Sequence, residues 1–232
     1  MIGILGGMGT QAGLDFCNKL AKLNRGKLDQ QYPMFILYNK SNTPKRPENL
    51  KKYNNVLKAL IDGCKMLQRN KCKFIVMPCN TAHYWHKDVQ KKIKVPLLSM
   101  PKEVFNFAKK NLKKKSKIGM LCTEATLKTK VYSQYFDQKF NLISPDRKLQ
   151  KNSVNKSIKL VKMGKVVEAE KALRPAVNHL IKKKCKKIIL GCTELPIALF
   201  AYKSFKKAKK SKLFIDPNLL LAEVSLKKYR NY

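Results

Sequence analysis

The sequence predicts an α/β fold of two pseudosymmetric domains, each a mostly parallel sheet flanked by helices. Short apolar runs alternate along the chain with longer amphipathic stretches, a pattern typical of parallel strands joined by crossover helices. Three short motifs of the first half recur in the second half at nearly the same offset. The length of 232 residues also suits two domains, since single domains usually have about 100 to 150 residues.

Strands are predicted from the apolar runs and helices from the stretches with helical spacing. The predicted strands are residues 2–5, 34–38, 74–77, 117–121 and 188–190, and the predicted helices are residues 10–22, 48–68, 80–92, 152–163 and 166–183. Two further short strands, 97–98 and 213–215, each lead into a helix with a proline in its first turn, Pro101 and Pro217. Proline suits that position because its fixed φ is helical and the N–H it lacks would be unpaired there.

The internal repeats indicate how the chain divides. Residues 2–5 match 118–121 and residues 97–101 match 213–217, both 116 positions apart, while residues 77–81 match 190–194 at an offset of 113. These matches predict a first domain of residues 1–99 with 213–232 and a second domain of residues 100–212. Each half then carries one cysteine, Cys79 or Cys192, at the carboxyl end of a strand, where ligands bind in open α/β sheets.

The charge of the chain is strongly positive and comes mainly from lysine. There are 51 basic and 14 acidic residues, a net charge of +37, with 45 lysines and only 6 arginines. Such a charge attracts polyanions without sequence preference, whereas base readout favours arginine, so nucleic acid is expected to bind only nonspecifically. No apolar run reaches the length of a membrane span and the chain starts without a basic lead-in, which predicts a cytoplasmic protein and no membrane partner.

Seven cysteines without a close CxxC pair favour neither a disulfide framework nor a zinc ribbon. Cys79, His83 and His86 have a spacing that could ligate zinc, but a fourth ligand is not evident, so no metal site is predicted. The glycine loop at residues 6–9 lies between a strand and a helix. The acidic residue of the dinucleotide fingerprint is missing after the second strand, so this loop predicts close approach to a small acid.

Cys79 and Cys192 are the candidate catalytic residues. Each follows an apolar strand and precedes a run that can start a helix, where backbone N–H groups and the helix dipole are expected to lower the pKa of a thiol. Such a thiol can act as a base, although a single buried cysteine is as readily explained by packing. A matched pair is more informative, because inversion at a carbon requires one group on each face.

Four strings carry a family resemblance: GILGGMGTQAG at 3–13, PCNTAH at 78–83, GMLCTEAT at 119–126 and GCTELP at 191–196. In this order and over essentially the whole chain they resemble the aspartate/glutamate racemase family, and the two cysteine motifs are similar to its aspartate racemase branch. The resemblance implies a PLP-independent amino-acid racemase that needs no cofactor, has its active site in the cleft between the two domains and usually forms a homodimer.

The resemblance also implies roles for individual residues. One thiolate, Cys79 or Cys192, takes the α-proton of aspartate, or of glutamate, and the other thiol returns a proton to the opposite face. Arg46 and Lys162 match the family's cations for the second carboxylate, and Met8 matches a residue in contact with the substrate. The remaining expected contacts are Asn80, Thr81, Thr123 and Thr193, which could bind the α-carboxylate or simply cap helices, and Glu194, which could form a capping box or orient the substrate ammonium.

Two departures from the family pattern leave the substrate open. Thr10 and Lys45 stand where many aspartate-type members have a proline and an acidic residue, and both are expected to lie near the pocket. The alternative function is a catalytically inactive protein on the same fold, which binds an acidic metabolite in the cleft or RNA nonspecifically through its charge.

Overall fold

The computed structural model describes residues 1–46, 50, 52–200 and 212–232. They form two compact units, Met1–Glu103 with Asn218–Tyr232, and Val104–Pro217. The chain divides after residues 103 and 217, a few residues later than the boundaries predicted after residues 99 and 212. Each observed boundary lies within a helix, Met100–Asn111 or Pro217–Arg230. No helix in these described ranges is long and apolar enough to cross a membrane.

The first unit is built on a parallel sheet of three strands. These are β1 (Ile2–Gly6), β2 (Phe35–Asn39) and β3 (Phe74–Val76), in the order β2-β1-β3. Ile2 of the central strand faces Phe35 on one side and Phe74 on the other. Residues of β1 and β3 are buried throughout, as expected for parallel strands covered on both faces. Leu97 adds an isolated parallel bridge to Ile75.

Helices cover this sheet. They are α1 (Thr10–Asn24), α2 (Tyr53–Arg69), a 3₁₀ helix (Thr81–Trp85) that continues as α3 (His86–Gln90) and, at the end of the chain, Pro217–Arg230. Helix α4 (Met100–Asn111) begins in this unit and continues in the other. Helix α2 buries Val56, Leu60, Cys64 and Leu67, whose spacing of three or four residues places them on one face. The start predicted for this helix, Glu48, lies outside the described residues.

The second unit has a parallel sheet of four strands. These are β4 (Lys117–Cys122), β5 (Asn141–Ile143), β6 (Lys187–Gly191) and β7 (Phe214–Ile215), in the order β5-β4-β6-β7. Strand β5 was not predicted, because it has only three residues and pairs only with β4. The prediction of mostly parallel sheets flanked by helices is confirmed, since every strand pair is parallel.

The helices of the second unit include several short ones that the sequence did not predict. The unpredicted short helices are α5 (Glu124–Lys128), α6 (Ser133–Phe136) and α7 (Arg147–Leu149). The helix predicted at residues 152–163 is a π turn (Gln150–Asn155) followed by α8 (Lys156–Lys162), and the helix predicted at 166–183 is α9 (Val166–Lys182). Helix α10 (Glu194–Phe200) follows Cys192, and the helix Pro217–Arg230 of the first unit is called α11. Pro175 interrupts the hydrogen bonds inside α9. The Ser153 hydroxyl bridges the gap, since it donates to the Ala172 carbonyl at 2.5 Å and accepts the Ala176 N–H at 3.3 Å.

The register of the two sheets makes the cysteines equivalent within their units. Ile2 of β1 faces Phe74, and the matching Ile118 of β4 faces Lys187. Cys79 stands five positions after Phe74, and Cys192 stands five positions after Lys187.

The repeat that pairs residues 97–101 with 213–217 is shifted by one residue in the structure, relative to the match read from the sequence. Ile75 and Ile188 donate to the carbonyls of Pro96 and Leu213, so Pro96, not Leu97, is the counterpart of Leu213.

Candidate active site

Cys79 lies in a tight turn after β3. Its N–H donates to the Met77 carbonyl at 2.7 Å, and the residue is 7% exposed. Asn80 follows in a helical conformation and makes no side-chain cap bond to the 3₁₀ helix. The turn therefore leaves the carboxyl end of β3 with the thiol in a buried setting, close to the start of a short helix.

His83 holds this turn by two hydrogen bonds to the main chain. Its Nδ1 lies 2.9 Å from the Cys79 carbonyl oxygen, and its Nε2 accepts the Met100 N–H at 3.0 Å. A nitrogen that accepts an N–H carries no proton, so the proton of the neutral ring is on Nδ1. Burial, with a smaller effect of the neighbouring His86, lowers the pKa of His83 to about 3. His83 is thus a neutral side chain whose two hydrogen bonds connect Cys79 to the start of α4.

The histidines are used for backbone contacts, not for a metal site. His86 Nε2 lies 2.8 Å from the Leu97 carbonyl, and both ring nitrogens of His83 already have partners. No group of three His, Cys, Asp or Glu side chains in the described ranges could hold a metal ion. The Cys-x3-His-x2-His spacing therefore has a structural explanation.

Arg46 is fixed beside the glycine loop. Its Nη2 donates to the Met8 carbonyl at 2.7 Å, while Nη1 donates to the carbonyls of Pro44 at 3.1 Å and Thr43 at 3.3 Å. Within residues 1–46, 50, 52–200 and 212–232, no carboxylate pairs with this guanidinium. Met8 is 6% exposed and belongs to the same buried apolar cluster as Cys79. The predicted residues Met8, Arg46 and Cys79 thus share one part of the first unit.

The glycine loop needs a glycine at position 7. Gly7 has φ +83°, and a Cβ built there would lie 2.3 Å from the carbonyl carbon of Lys40. The loop therefore packs directly on the backbone that follows β2. This close packing brings Met8 to the segment that carries Arg46.

Cys192 lies at the corresponding place in the second unit and has a carboxylate partner. Its Sγ donates to Glu194 Oε2 at 3.0 Å, and the Thr193 hydroxyl donates to the same oxygen at 3.1 Å. Lys162 Nζ lies 3.6 Å from Glu194 Oε1. Four residues named from the sequence, Lys162, Cys192, Thr193 and Glu194, therefore form one connected cluster.

The pKa of the Cys192 thiol differs from the lowered value expected from its position before a helix. The Glu194 N–H does bond to the sulfur and lowers its pKa, as the sequence predicted. Burial, followed by the charge and hydrogen bond of the Glu194 carboxylate, outweighs that contribution and raises the pKa well above the ordinary value. The prediction of a lowered pKa is therefore wrong for Cys192, which is held as a neutral thiol.

The structure shows which partners Glu194 and the predicted polar residues have within their own units. Glu194 uses its carboxylate on Cys192, Thr193 and Lys162. Thr123 is a helix cap, since its Oγ1 accepts the Thr126 N–H at 3.2 Å. Asn80 and Thr81 are both buried beside Cys79.

Gln150 was missed by the sequence analysis. It is 4% exposed and donates from Nε2 to the carbonyl of Cys122, the last residue of β4, at 2.9 Å, and to Asn155 Oδ1 at 2.8 Å. It thereby ties the π turn to the carboxyl end of the strand next to β6. A glutamine in a polar stretch gives no sequence signal for such a role.

Comparison with known proteins places the chain in a family. The family model of Asp/Glu/hydantoin racemases matches residues 5–224. The broad specificity amino-acid racemase RacX of Bacillus subtilis (strain 168) is 29% identical over 204 residues, which cover 86% of this chain and 87% of that protein.

Solved structures show the same fold. The aspartate racemase of Picrophilus torridus is 27% identical with a TM-score of 0.83, covering 99% of this chain and 94% of the other. The glutamate racemase of Thermus thermophilus, in complex with β-chloro-D-alanine, is 21% identical with a TM-score of 0.71, covering 99% and 80%. The family match over nearly the whole chain agrees with the motifs described above, and the chain belongs to the Asp/Glu/hydantoin racemase family, a family of isomerases.

Proposed function

We propose that the protein racemises an acidic amino acid without a cofactor, using Cys79 and Cys192 as the two acid–base groups. The observation that carries the proposal is the equivalent register of the two cysteines, each placed after the strand that pairs with the central strand of its unit. Inversion needs one proton-transferring group for each face of the α-carbon. Two equivalent halves with one thiol each provide that number and type of group.

In the proposed reaction the Cys79 thiolate removes the α-proton, and the electron pair of the C–H bond stays on the α-carbon. The Cys192 thiol then gives its proton to the opposite face, which leaves Cys192 as the thiolate and Cys79 as the thiol. The reverse conversion exchanges these roles. Positioned proton transfer of this kind contributes about 10²- to 10⁴-fold to a rate.

The surroundings of Cys192 favour its protonated form in this proposal. The raised pKa of Cys192 favours its protonated form, and a thiolate there would face the Glu194 carboxylate to which the thiol now donates. Cys79 has no hydrogen bond to a carboxylate within the described part of the chain. We therefore assign Cys192 as the thiol that donates the proton in the direction in which Cys79 accepts it.

The cations support an acidic substrate. Arg46 is oriented by three backbone carbonyls beside Met8, and a guanidinium can bind a carboxylate with two parallel hydrogen bonds. Lys162 is largely exposed and lies near Glu194, from which it can turn toward a substrate carboxylate. Because RacX is named for broad specificity, aspartate, glutamate and neutral amino acids should be compared directly. The homodimer and the cytoplasmic location stay predictions.

The test is α-proton exchange in D₂O without added cofactor. Each enantiomer of aspartate, glutamate and alanine is incubated with the protein, and both chirality and α-deuterium are measured. We expect the acidic amino acids to be inverted, with deuterium in the product before it enters the remaining substrate, because the thiol that protonates has exchanged with solvent. A lack of exchange with every amino acid would refute the proposal.

Matched cysteine variants test the residues. Cys79→Ala and Cys192→Ala should each reduce the rate of racemisation about 10³-fold or more. The control Cys17→Ala removes a half-buried thiol outside the proposed site and should retain the wild-type rate. Circular dichroism and thermal unfolding check that each variant is folded. Racemisation that survives either alanine variant at the wild-type rate would exclude the two-thiol mechanism.

A further inference from the structure

We propose that the strand-start edge of the second sheet is a docking surface for the phosphate backbone of double-stranded nucleic acid. This surface, which we call the lysine edge, consists of residues 113–117, 139, 182–187 and 212. Eleven of these thirteen residues are lysine and none is acidic, so the positive charge is concentrated here beyond the average for the chain. The inference is independent of the proposed racemase activity.

The lysine edge is continuous because hydrogen bonds join its members across all four strands. The Lys115 N–H donates to the Lys139 carbonyl at 2.7 Å before β4 and β5, and the Lys186 N–H donates to the Lys117 carbonyl at 2.8 Å before β6. The Lys187 ammonium donates to the carbonyl of Lys212, which precedes β7. With neighbouring strands about 4.8 Å apart, this row spans about 14 Å.

The remaining lysines extend this row outward. Lys113 and Lys114 follow α4, and Lys182–Lys184 end α9 and the turn after it, all of them exposed. Asp137 is the exposed carboxylate nearest in sequence, two positions before Lys139. Some of these lysines stabilise the C-terminal end of a helix by interacting with its dipole. That effect acts only within the last turn, so it does not account for the lysines beyond it.

Two positions of the edge carry lysine despite an unfavourable backbone. Lys115 and Lys184 both have φ +60°, a left-handed conformation in which glycine or asparagine is the usual residue after a helix. A side chain with a Cβ costs about 1 to 2 kcal/mol there. Arg25, Lys71 and Lys130 have the same left-handed conformation outside the edge, so these two positions add charge to the edge but do not by themselves distinguish it.

The chemistry of the edge fits a duplex better than a single strand or a base-reading contact. The edge has no arginine to read base edges, and its thirteen residues include no aromatic side chain on which a single strand could stack its bases. A row of ammonium groups can still contact the outward-facing phosphates of a duplex. Binding should then be independent of sequence and strongly dependent on salt.

The location of the edge separates this role from the thiol chemistry. Strand β6 begins with Lys187 and ends with Gly191, just before Cys192. A parallel strand rises about 3.3 Å per residue, so the two ends are about 13 Å apart. Changes at the lysine edge should therefore leave the Cys192 cluster undisturbed.

The test compares two variants with the same net charge in the full-length protein. The edge variant carries Lys113→Gln, Lys114→Gln, Lys183→Gln and Lys186→Gln; the control variant carries Lys148→Gln, Lys151→Gln, Lys159→Gln and Lys171→Gln, exposed lysines of the same unit outside the edge. Binding of a labelled 20-base-pair duplex of mixed sequence is measured by anisotropy between 50 and 300 mM salt. Racemisation is assayed separately, without nucleic acid.

We expect the edge variant to bind the duplex about 10-fold or more weaker than the control variant. Each lost phosphate contact lowers the slope of log K against log salt by about 0.9, so the slope should fall by about 2 to 4 in the edge variant alone. Equal losses in the two variants would show that only the total charge matters and would overturn the proposal. The proposal would also be overturned if a single strand or vesicles of anionic lipid bound more tightly than the duplex and depended on the same lysines.

Discussion

The thiol of Cys192 donates a hydrogen bond to the carboxylate of Glu194, with 3.0 Å between Sγ and Oε2. Together with burial, this contact raises the pKa of Cys192 and holds it protonated. The Thr193 hydroxyl and Lys162 fix the orientation of the same carboxylate. The second unit therefore carries a protonated thiol at this position, whereas a helix start alone would favour a thiolate.

Replacement of this carboxylate by an amide should change the pH dependence of racemisation. In Glu194→Gln the negative charge that raises the pKa of Cys192 is gone, so the thiol should lose its proton at lower pH. The alkaline limb of kcat/KM should then move down by about 1 pH unit or more, with an activity loss of about 10- to 100-fold.

The matched control is Glu168→Gln, an exposed carboxylate in the first turn of α9. It removes the same charge from the same unit and should leave the pH profile unchanged. Since two enantiomers have equal free energies, kcat/KM must change equally in both directions. An alkaline limb that stays in place in Glu194→Gln would show that this carboxylate does not control Cys192.

Arg46→Lys should weaken the binding of acidic amino acids. The lysine ammonium can keep the charge but cannot donate to Met8, Pro44 and a substrate carboxylate in the planar arrangement of a guanidinium. A charge-assisted hydrogen bond contributes about 1.5 to 3 kcal/mol, so KM for aspartate or glutamate should rise about 10- to 100-fold, with little change for alanine.

Arg147→Lys is the matched control for that prediction, because Arg147 is exposed at the start of α7 and, within the described part of the chain, has no hydrogen bond or ion pair to the proposed site residues. Its KM values should equal those of the wild type. If Arg46→Lys raised KM for alanine as much as for aspartate, the guanidinium would be supporting the glycine loop and not selecting the second carboxylate.

The fold and the positions of the thiols could be predicted because they depend on patterns that are local in sequence. Apolar runs mark the central strands, and the residue that follows a parallel strand is placed at the carboxyl edge of the sheet whatever the rest of the chain does. The motifs around Cys79 and Cys192 repeat at nearly one offset for this reason. The family resemblance read from them is confirmed by the family match over residues 5–224.

Other features depend on contacts between distant residues, which the sequence does not show. Helix α8 brings Lys162 to Glu194, and the π turn brings Gln150 to the end of β4. His83 could be seen as a metal ligand, a cap or a wall of the cleft, until its two backbone partners, Cys79 and Met100, were known. The short strand β5 is defined by its pairing with β4 and not by its own composition.

Gly7→Ala should destabilise the first unit and reduce activity. The added Cβ meets the Lys40 backbone at 2.3 Å, so the loop that carries Met8 must move, and the positive φ adds about 1 to 2 kcal/mol. Gly164 separates the two effects, because its φ is +77° but nothing lies within 4 Å of an added Cβ.

We therefore expect Gly164→Ala to lower the free energy of unfolding by about 1 to 2 kcal/mol and Gly7→Ala to lower it by more, with a loss of racemisation only in Gly7→Ala. Urea unfolding and the exchange assay measure both quantities. Equal destabilisation by the two substitutions would mean that the glycine loop can move away from Lys40 at little cost.

Acid should destabilise the protein through His83. The pKa of this histidine is lowered to about 3 in the folded state by burial, whereas in the unfolded chain it is about 6.5. Below pH 6.5 the unfolded state therefore binds a proton that the folded state does not. The stabilisation is complete above pH 6.5 and is lost as the pH falls toward 3, by up to about 1.4 kcal/mol per pH unit.

Urea unfolding at pH 5 and pH 7.5 measures this effect. We expect the wild type to lose about 2 kcal/mol from this histidine between these values, and His83→Gln to lose less. The burial of His86 lowers its pKa too, so part of the pH dependence remains in His83→Gln. The control His179→Gln changes a histidine of the second unit, in the last turn of α9, and leaves the contacts of His83 with Cys79 and Met100 in place. If the free energy of unfolding depended on pH equally in the wild type and in His83→Gln, His83 would take up its proton in the folded protein. That result would contradict a neutral His83 hydrogen-bonded to the backbone of Cys79 and Met100.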